Sequence, residues 1–155
     1  MKTSAGILLY RTSEAGFEVL IAHMGGPFWD GKDARAWSIP KGEMEEGEDP
    51  IAVARREFEE ELGSPPPPEP YLELGSAVQS SRKRVFVFAV EGDLDAETTT
   101  SNTFSLEWPP HSGQLQEFPE IDRAAWVSLE VAGEKLVQGQ VEFLDRLRKA
   151  FESAR

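Results

Sequence analysis

WSIPKGEMEEGEDPIAVARREFEEELGS, residues 37–64, reads as a short strand, a turn and one capped helix with an acidic cluster. Asp49 followed by Pro50 is a helix start, because an Asp side chain caps free amides and Pro suits the first helical turn. Gly63 and the prolines from Pro65 onward stop it. Between them Ile51, Ala54, Phe58 and Leu62 recur at helical spacing and predict a buried stripe. Glu57, Glu60 and Glu61 stand at i, i+3 and i+4, so three carboxylates project together beside that stripe. They occupy the last turns, where the helix dipole disfavours negative charge. Folding gains nothing from such a cluster. Binding of a divalent cation explains it, because carboxylate oxygens are the ligands Mg²⁺ prefers.

Outward from the helix, short apolar runs alternate with turns. Residues 5–11 (AGILLYR) and 17–23 (FEVLIAH) predict two strands, with a hairpin over Glu14, Ala15 and Gly16. Residues 24–36 are too broken for a strand and form a loop carrying Phe28, Trp29, Lys32 and Arg35. Two aromatics with two cations could stack a base and hold phosphate, or the aromatics could simply pin the loop to the core. Residues 37–39 predict a strand and 40–42 (PKG) the turn after it, where Gly42 lets backbone approach a metal or phosphate closely. Lys41, beside the acidic helix, suits an ordinary ion pair. Residues 64–70 (SPPPPEP) are a stiff linker. Strands follow at 71–78 and 84–90, joined by a polar turn over 79–83. The Arg82-Lys83-Arg84 run there is the one basic cluster in the sequence, suited to solvent or to a polyanion. An acidic loop (91–101), a weak strand (102–108), a loop (111–122), a strand (123–127) and a helical region (131–151, interrupted at Gly139) complete the chain.

A length of 155 residues suits one domain over 1–155 that buries about 70% of its unfolded surface. With no Cys, disulfides, zinc–thiolate sites and thiol nucleophiles are excluded. His23 and His111 lie far apart, which argues against a His-rich metal site. The first residues lack a signal-peptide pattern and no apolar run is long enough to span a membrane, so a cytoplasmic protein is expected. A net charge of −12 argues against docking on long nucleic acid. It also disfavours a phosphorylated ligand unless a bound cation reverses the local field.

Residues 42–64 resemble the Nudix box, the signature of the Nudix hydrolase family. Gly42, Glu48, Arg56, Glu57, Phe58, Glu60, Glu61 and Gly63 occupy its fixed positions, and only Ser64 departs, where an apolar residue is usual. The resemblance implies an α/β/α sandwich with a mixed sheet and the box as loop–helix–loop. It implies Mg²⁺-dependent hydrolysis, with Mn²⁺ as an alternative ion, of a nucleoside diphosphate linked to another group. Glu57, Glu60 and Glu61 are then the metal ligands, with the Gly42 carbonyl as a further oxygen and Glu48 as an accessory residue. Arg56 precedes Glu60 by four positions and is expected to brace it. In the family, a lysine placed like Lys41 faces the substrate phosphates, and the loop before the last strand delivers a further glutamate. Glu117 and Glu120 both fit that description, and the general base is one of them or a box glutamate. The Trp-x-x-Pro-Lys-Gly lead-in resembles enzymes acting on dinucleoside polyphosphates such as diadenosine tetraphosphate. Phe28, Trp29, Arg35, Lys41, Lys83 and Arg84 are the candidate substrate contacts. Nucleoside triphosphates and ADP-ribose are the alternative substrates. A silent Nudix-fold sensor predicts loss of a box carboxylate, and none is lost. An EF-hand-like Ca²⁺ protein predicts alternating Asp/Asn around a Gly, and no such loop occurs.

Overall fold

The structure is a computed structural model that describes residues 2–14 and 16–153. Ala15, in the expected hairpin turn, lies outside the described residues. β1 (Lys2–Ser13) and β2 (Gly16–Met24) pair antiparallel, with Tyr10 opposite Val19. β5 (Leu72–Ser80) and β6 (Lys83–Glu91) form a second antiparallel pair, and β6 runs parallel to β1 from Lys2↔Lys83 to Tyr10↔Glu91. β9 (Ile121–Ser128) closes the far edge against β2, so the main strands run β9-β2-β1-β6-β5.

Strict alternation on these strands divides the core into two layers. Ala5, Ile7, Leu9, Leu20, Ala22, Phe88 and Val90 point to one face, where they meet Val53, Ala54, Phe58 and Leu62 of helix α1 (Pro50–Leu62). Leu8, Val19, Ile21, Val85, Val87 and Ala89 point to the other. There they meet Ala132 and Leu136 at helix α2 (Leu129–Lys135) and Phe143, Leu144 and Leu147 of α3 (Glu142–Ser153). The result is a mixed sheet between helices, as the box resemblance implies. α1 starts and stops where its sequence says. The Asp49 carboxylate accepts the Ile51 amide at 3.2 Å, and Gly63 takes the left-handed conformation at φ 79°.

The sheet forks at its centre. One edge of β1 is shared: residues from Tyr10 onward take β2, while Ser4, Ala5 and Gly6 take β4 (Lys41–Glu43). β2 likewise leaves β1 to pair its far end with β3 (Trp37–Ser38). Residues 37–43 are thereby wedged between two diverging strands. Lys41 and Gly42, expected in a turn, are instead strand residues, because the open edge of β1 offers unpaired backbone groups. Gly6 permits the approach, since a Cβ there would sit 2.5 Å from the Pro40 carbonyl oxygen.

Two further elements differ from expectation. Residues 115–119, expected as loop, form strand β8 (Leu115–Pro119), which pairs with β7 (Thr103–Glu107) as a separate two-stranded sheet. Its pattern is nearly all exposed, so hydrophobic periodicity carried no signal. The last helical region breaks into α2 and α3 around a 3-10 turn at Gln138–Gln140. Gly139 lies against β5, where a Cβ would come within 2.4 Å of the Gln79 carbonyl oxygen. That approach buries Gln140, whose Oε1 accepts the Ile39 amide at 2.8 Å and whose Nε2 donates to Ser38 and Gln79, both at 3.0 Å. The second helical layer thus holds the strand that leads into the acidic helix.

Candidate active site

The three box glutamates do not point one way. Glu61 is 9% exposed, turned under β4, where its Oε2 accepts the Lys41 amide at 3.2 Å. Burial pushes its carboxyl up to about 8, against the pull of Lys41 and its amide. Glu57 is half-buried against Gly42, and its carboxyl is also raised, first by burial and then by the charge of Glu60. Glu60 lies exposed on the outer side of the helix. Glu120 joins them from the start of β9. Its carboxyl is raised by burial and by Glu60, and its charge in turn raises Glu57 and Glu61. Glu117, the other candidate in that loop, stands exposed on β8 opposite Ser105 and is not among the charges that raise Glu57 or Glu61. Glu120 is held where it is by backbone bonds: its N–H donates to the Asn102 carbonyl at 2.9 Å, and the Asn102 N–H donates to the Glu60 carbonyl at 3.0 Å.

Among the described residues, no three acidic or His side chains are gathered tightly enough to form a preassembled cation site. Glu61 turns its Oε2 to the Lys41 amide, while Glu60 lies exposed on the outer side of the helix. The donor set nonetheless fits a hard divalent ion, because it is made of carboxyl oxygens, and burial plus mutual repulsion, which a cation would relieve, raises three of the four groups.

Gly42 is the key backbone position. A Cβ there would lie 2.0 Å from the Glu57 carboxyl carbon and 2.3 Å from its Oε2. The obstructed atoms are the end of a flexible side chain, so Gly42→Ala is expected to fold and melt within a few degrees of the native protein. It displaces Glu57, and we expect about tenfold or greater loss of divalent-ion affinity, read by calorimetric titration. Unchanged affinity would show that Glu57 does not need its present position.

Arg56 does not brace Glu60. Its guanidinium donates to Glu48 at 3.0 Å and lies 3.8 Å from Glu57. Helical side chains lean toward the N-terminus, which carries Arg56 toward the loop and away from the next turn. Glu48 also accepts the Glu45 amide at 2.7 Å, and together the amide and Arg56 hold its carboxyl below the usual carboxylate range. Glu48 therefore ties the loop of residues 43–48 to the helix.

The expected substrate contacts separate into two groups. Lys41 is half-buried beside Glu61. Burial lowers its ammonium from the ordinary lysine value, Glu61 opposes that, and Lys83 adds to the lowering by positive charge. Lys83 thus stands near Lys41, while Arg84 donates to Ser76 at 3.1 Å on the neighbouring strand. Phe28 is 58% exposed and meets Trp108 edge-on at 5.6 Å. Trp29 packs instead against the core on the α2/α3 face, with the Lys32 ammonium 5.7 Å above its ring. Arg35 is committed elsewhere too: at φ 59° it donates to the Gly133 and Leu136 carbonyls at 2.6 and 3.0 Å, closing the end of α2. Both were placed with Phe28 by sequence proximity, but the loop turns them to the opposite layer.

Three residues that position the site left no mark in the sequence pattern: Gln140, Asn102 and the buried His23. His23 Nε2 donates to the Lys32 carbonyl at 2.6 Å and its Nδ1 lies 2.8 Å from Asp122 Oδ1, so it clamps the 24–36 loop to β9. A cleft of about 690 Å³ between β1 and residues 43–47 is lined by none of the box glutamates. A cleft of about 430 Å³ lined by Arg56, Glu59, Glu60 and Asn102 opens on Glu60.

Residues 1–147 match the NUDIX domain. Against curated protein sequences the chain has no match. Solved structures similar to it include an Ap4A hydrolase of C. elegans in a binary complex, with 18% identity, all of both chains covered and a TM-score of 0.62. The NUDIX domain of Shewanella oneidensis NrtR, solved with ADP ribose, is 14% identical over 96% of this chain and 87% of that one, with a TM-score of 0.64. The MutT protein of Methanosarcina mazei Go1 is 20% identical over 97% and 95%, with a TM-score of 0.59. At these identities the likeness is one of fold. The family match covers nearly the whole chain, and it agrees with the box read from residues 42–64: the chain belongs to the Nudix family of hydrolases acting on pyrophosphate bonds.

Proposed function

We propose that this chain is a Mg²⁺-dependent pyrophosphohydrolase that cleaves a nucleoside-capped polyphosphate, diadenosine tetraphosphate in type. The observation that carries the reading is that Glu57, Glu60, Glu61 and Glu120, from two distant segments, lie near enough for Glu60 and Glu120 to raise Glu57 and for Glu57 and Glu120 to raise Glu61, with Lys41 beside Glu61. Folding alone gives no reason to bring four carboxylates together. Glu57, Glu60 and Glu61 are the residues to hold Mg²⁺ or Mn²⁺, with the Gly42 carbonyl at hand. When bound, the ion supplies charge neutralisation on phosphate oxygens and a water of lowered pKa. In the reaction, a water oxygen bonds to one phosphorus, the anhydride P–O bond to the next phosphate breaks, and the water's proton passes to a carboxylate. Glu120 is the base favoured here, being in the set without the box's own ties. Lys41 and Lys83 oppose the negative charge that a longer phosphate chain adds.

An Ap4A hydrolase and an ADP-ribose complex both occur among proteins of this fold, so the substrates are to be compared directly. Diadenosine tetraphosphate, ADP-ribose and the nucleoside triphosphates are assayed in Mg²⁺, with and without excess chelator. The tetraphosphate is expected to have the highest kcat/KM, and chelation to abolish all turnover. ADP-ribose with much the highest kcat/KM would overturn the long-chain reading, and full turnover in chelator would overturn the metal requirement.

A further inference from the structure

Phe28, Phe104, Trp108 and Phe118 belong to neither core layer. They gather where the loop at residues 26–30 faces the β7–β8 hairpin, around a groove of about 420 Å³. Phe104 and Phe118 stand opposite each other in register, with centroids 6.0 Å apart. Gly26, at φ 95°, lies directly on the Phe104 ring, and a Cβ there would come within 2.8 Å of it. Trp108 lines the groove and Phe28 meets it edge-on. Aromatic surface left outside a core is costly unless something flat and apolar covers it.

The polar rim is mainly of acceptors. Asp30 and Asp122 are carboxylates, and Gln116 donates one of its two Nε2 hydrogens to the Trp108 carbonyl at 2.8 Å, with its amide oxygen left to accept. Asp122 is steadied from behind by buried His23. A rim of acceptors suits a ring that carries an exocyclic amine. The groove also adjoins the carboxylates: Pro119 borders it and is followed by Glu120, while its strand partner Thr103 follows Asn102, which borders the Glu60 cleft.

We infer that this groove is the subsite for the nucleobase. It holds an amine-bearing base such as adenine against Trp108, which Phe28 braces edge-on, with Asp30, Asp122 and Gln116 reading its edge and the attached phosphates running toward Glu120. Only the direction of the phosphates rests on the hydrolase reading. The base contacts stand without it.

Calorimetric titration of the full chain with ADP and with inorganic pyrophosphate, in Mg²⁺, tests the assignment. Trp108→Ala is expected to weaken ADP about 5- to 150-fold, the range for loss of base stacking, and to leave pyrophosphate within about twofold. Trp108→Phe restores most of the ADP affinity, and Phe28→Ala, in a separate segment, weakens ADP in the same selective way. Inosine diphosphate, which lacks the amine, binds the native protein more weakly than ADP. The inference is overturned if both Trp108→Ala and Phe28→Ala leave ADP within twofold, if ADP and pyrophosphate weaken together in both, or if native protein binds ADP no better than pyrophosphate. Failure of the hydrolase reading is distinct: native protein would bind ADP selectively through Trp108 and yet split no phosphoanhydride.

Discussion

Glu60→Gln lowers turnover about 10³-fold or more while the protein stays folded. Glu60 is exposed on the helix surface and contributes nothing to either core layer, so its carboxylate has no structural duty to lose. It sits in the last turn of α1, beside Glu57 and Glu120, where both the helix dipole and like charge oppose it. Neutralising it relieves roughly 0.3–1 kcal/mol of that repulsion, so metal-free melting is unchanged or slightly higher. Catalysis moves the other way, because charge stabilisation of a phosphoryl transition state is worth several powers of ten. Steady-state kinetics in saturating Mg²⁺, paired with thermal melting in chelator, reads both. Turnover within tenfold of native would remove Glu60 from the catalytic set, and a clearly lowered melting point would make its role structural.

Glu61→Gln has its largest expected effect on stability, and that effect depends on pH. In the folded protein burial pushes this carboxyl up to about 8, against 4.5 as its ordinary value. Below pH 4.5 the group is protonated in both folded and unfolded chains and imposes no penalty. Between 4.5 and about 8 the unfolded chain ionises while the folded one does not, so native stability falls as pH rises, and it levels off above 8. Gln cannot ionise, so the variant escapes that loss. In chelator at pH 8 it is expected to be more stable than the native protein by an amount on the order of a few kcal/mol, with the difference closing toward pH 4.5. Denaturant unfolding of both proteins across that window makes the comparison. A difference that stays constant with pH would mean that Glu61 is ionised and paired in the fold. The variant's activity should nevertheless be poor, which would place a functional need behind this buried carboxylate.

The conflict at Glu61 follows from its address. The same turn of α1 that points Phe58 and Leu62 into the sheet points Glu61 beneath β4, and no packing motive puts a carboxylate there. Its position could be read from residue spacing, because 3.6 residues per turn fixes which side chains share a face. Its burial could not, since that depends on β4 crossing above it.

Local chemistry in the sequence was enough to determine the acidic helix, its Asp49 cap, its Gly63 stop and the strands that alternate around it. These are set by contacts a few residues apart, and the family follows from the fixed positions between Gly42 and Gly63. What stands next to the helix was settled only by the folded chain. Glu120 rather than Glu117 reaches the carboxylates because β8 forms a hairpin with β7 and carries Glu117 outward. Arg35 and Trp29 leave Phe28 because their loop wraps the sheet edge, and Arg35 ends on the carbonyls of α2, far along the chain. Gln140 reaches Ile39 because Gly139 lets two backbones nearly touch. Such contacts join segments tens of residues apart, and side-chain periodicity within either segment holds no trace of the other.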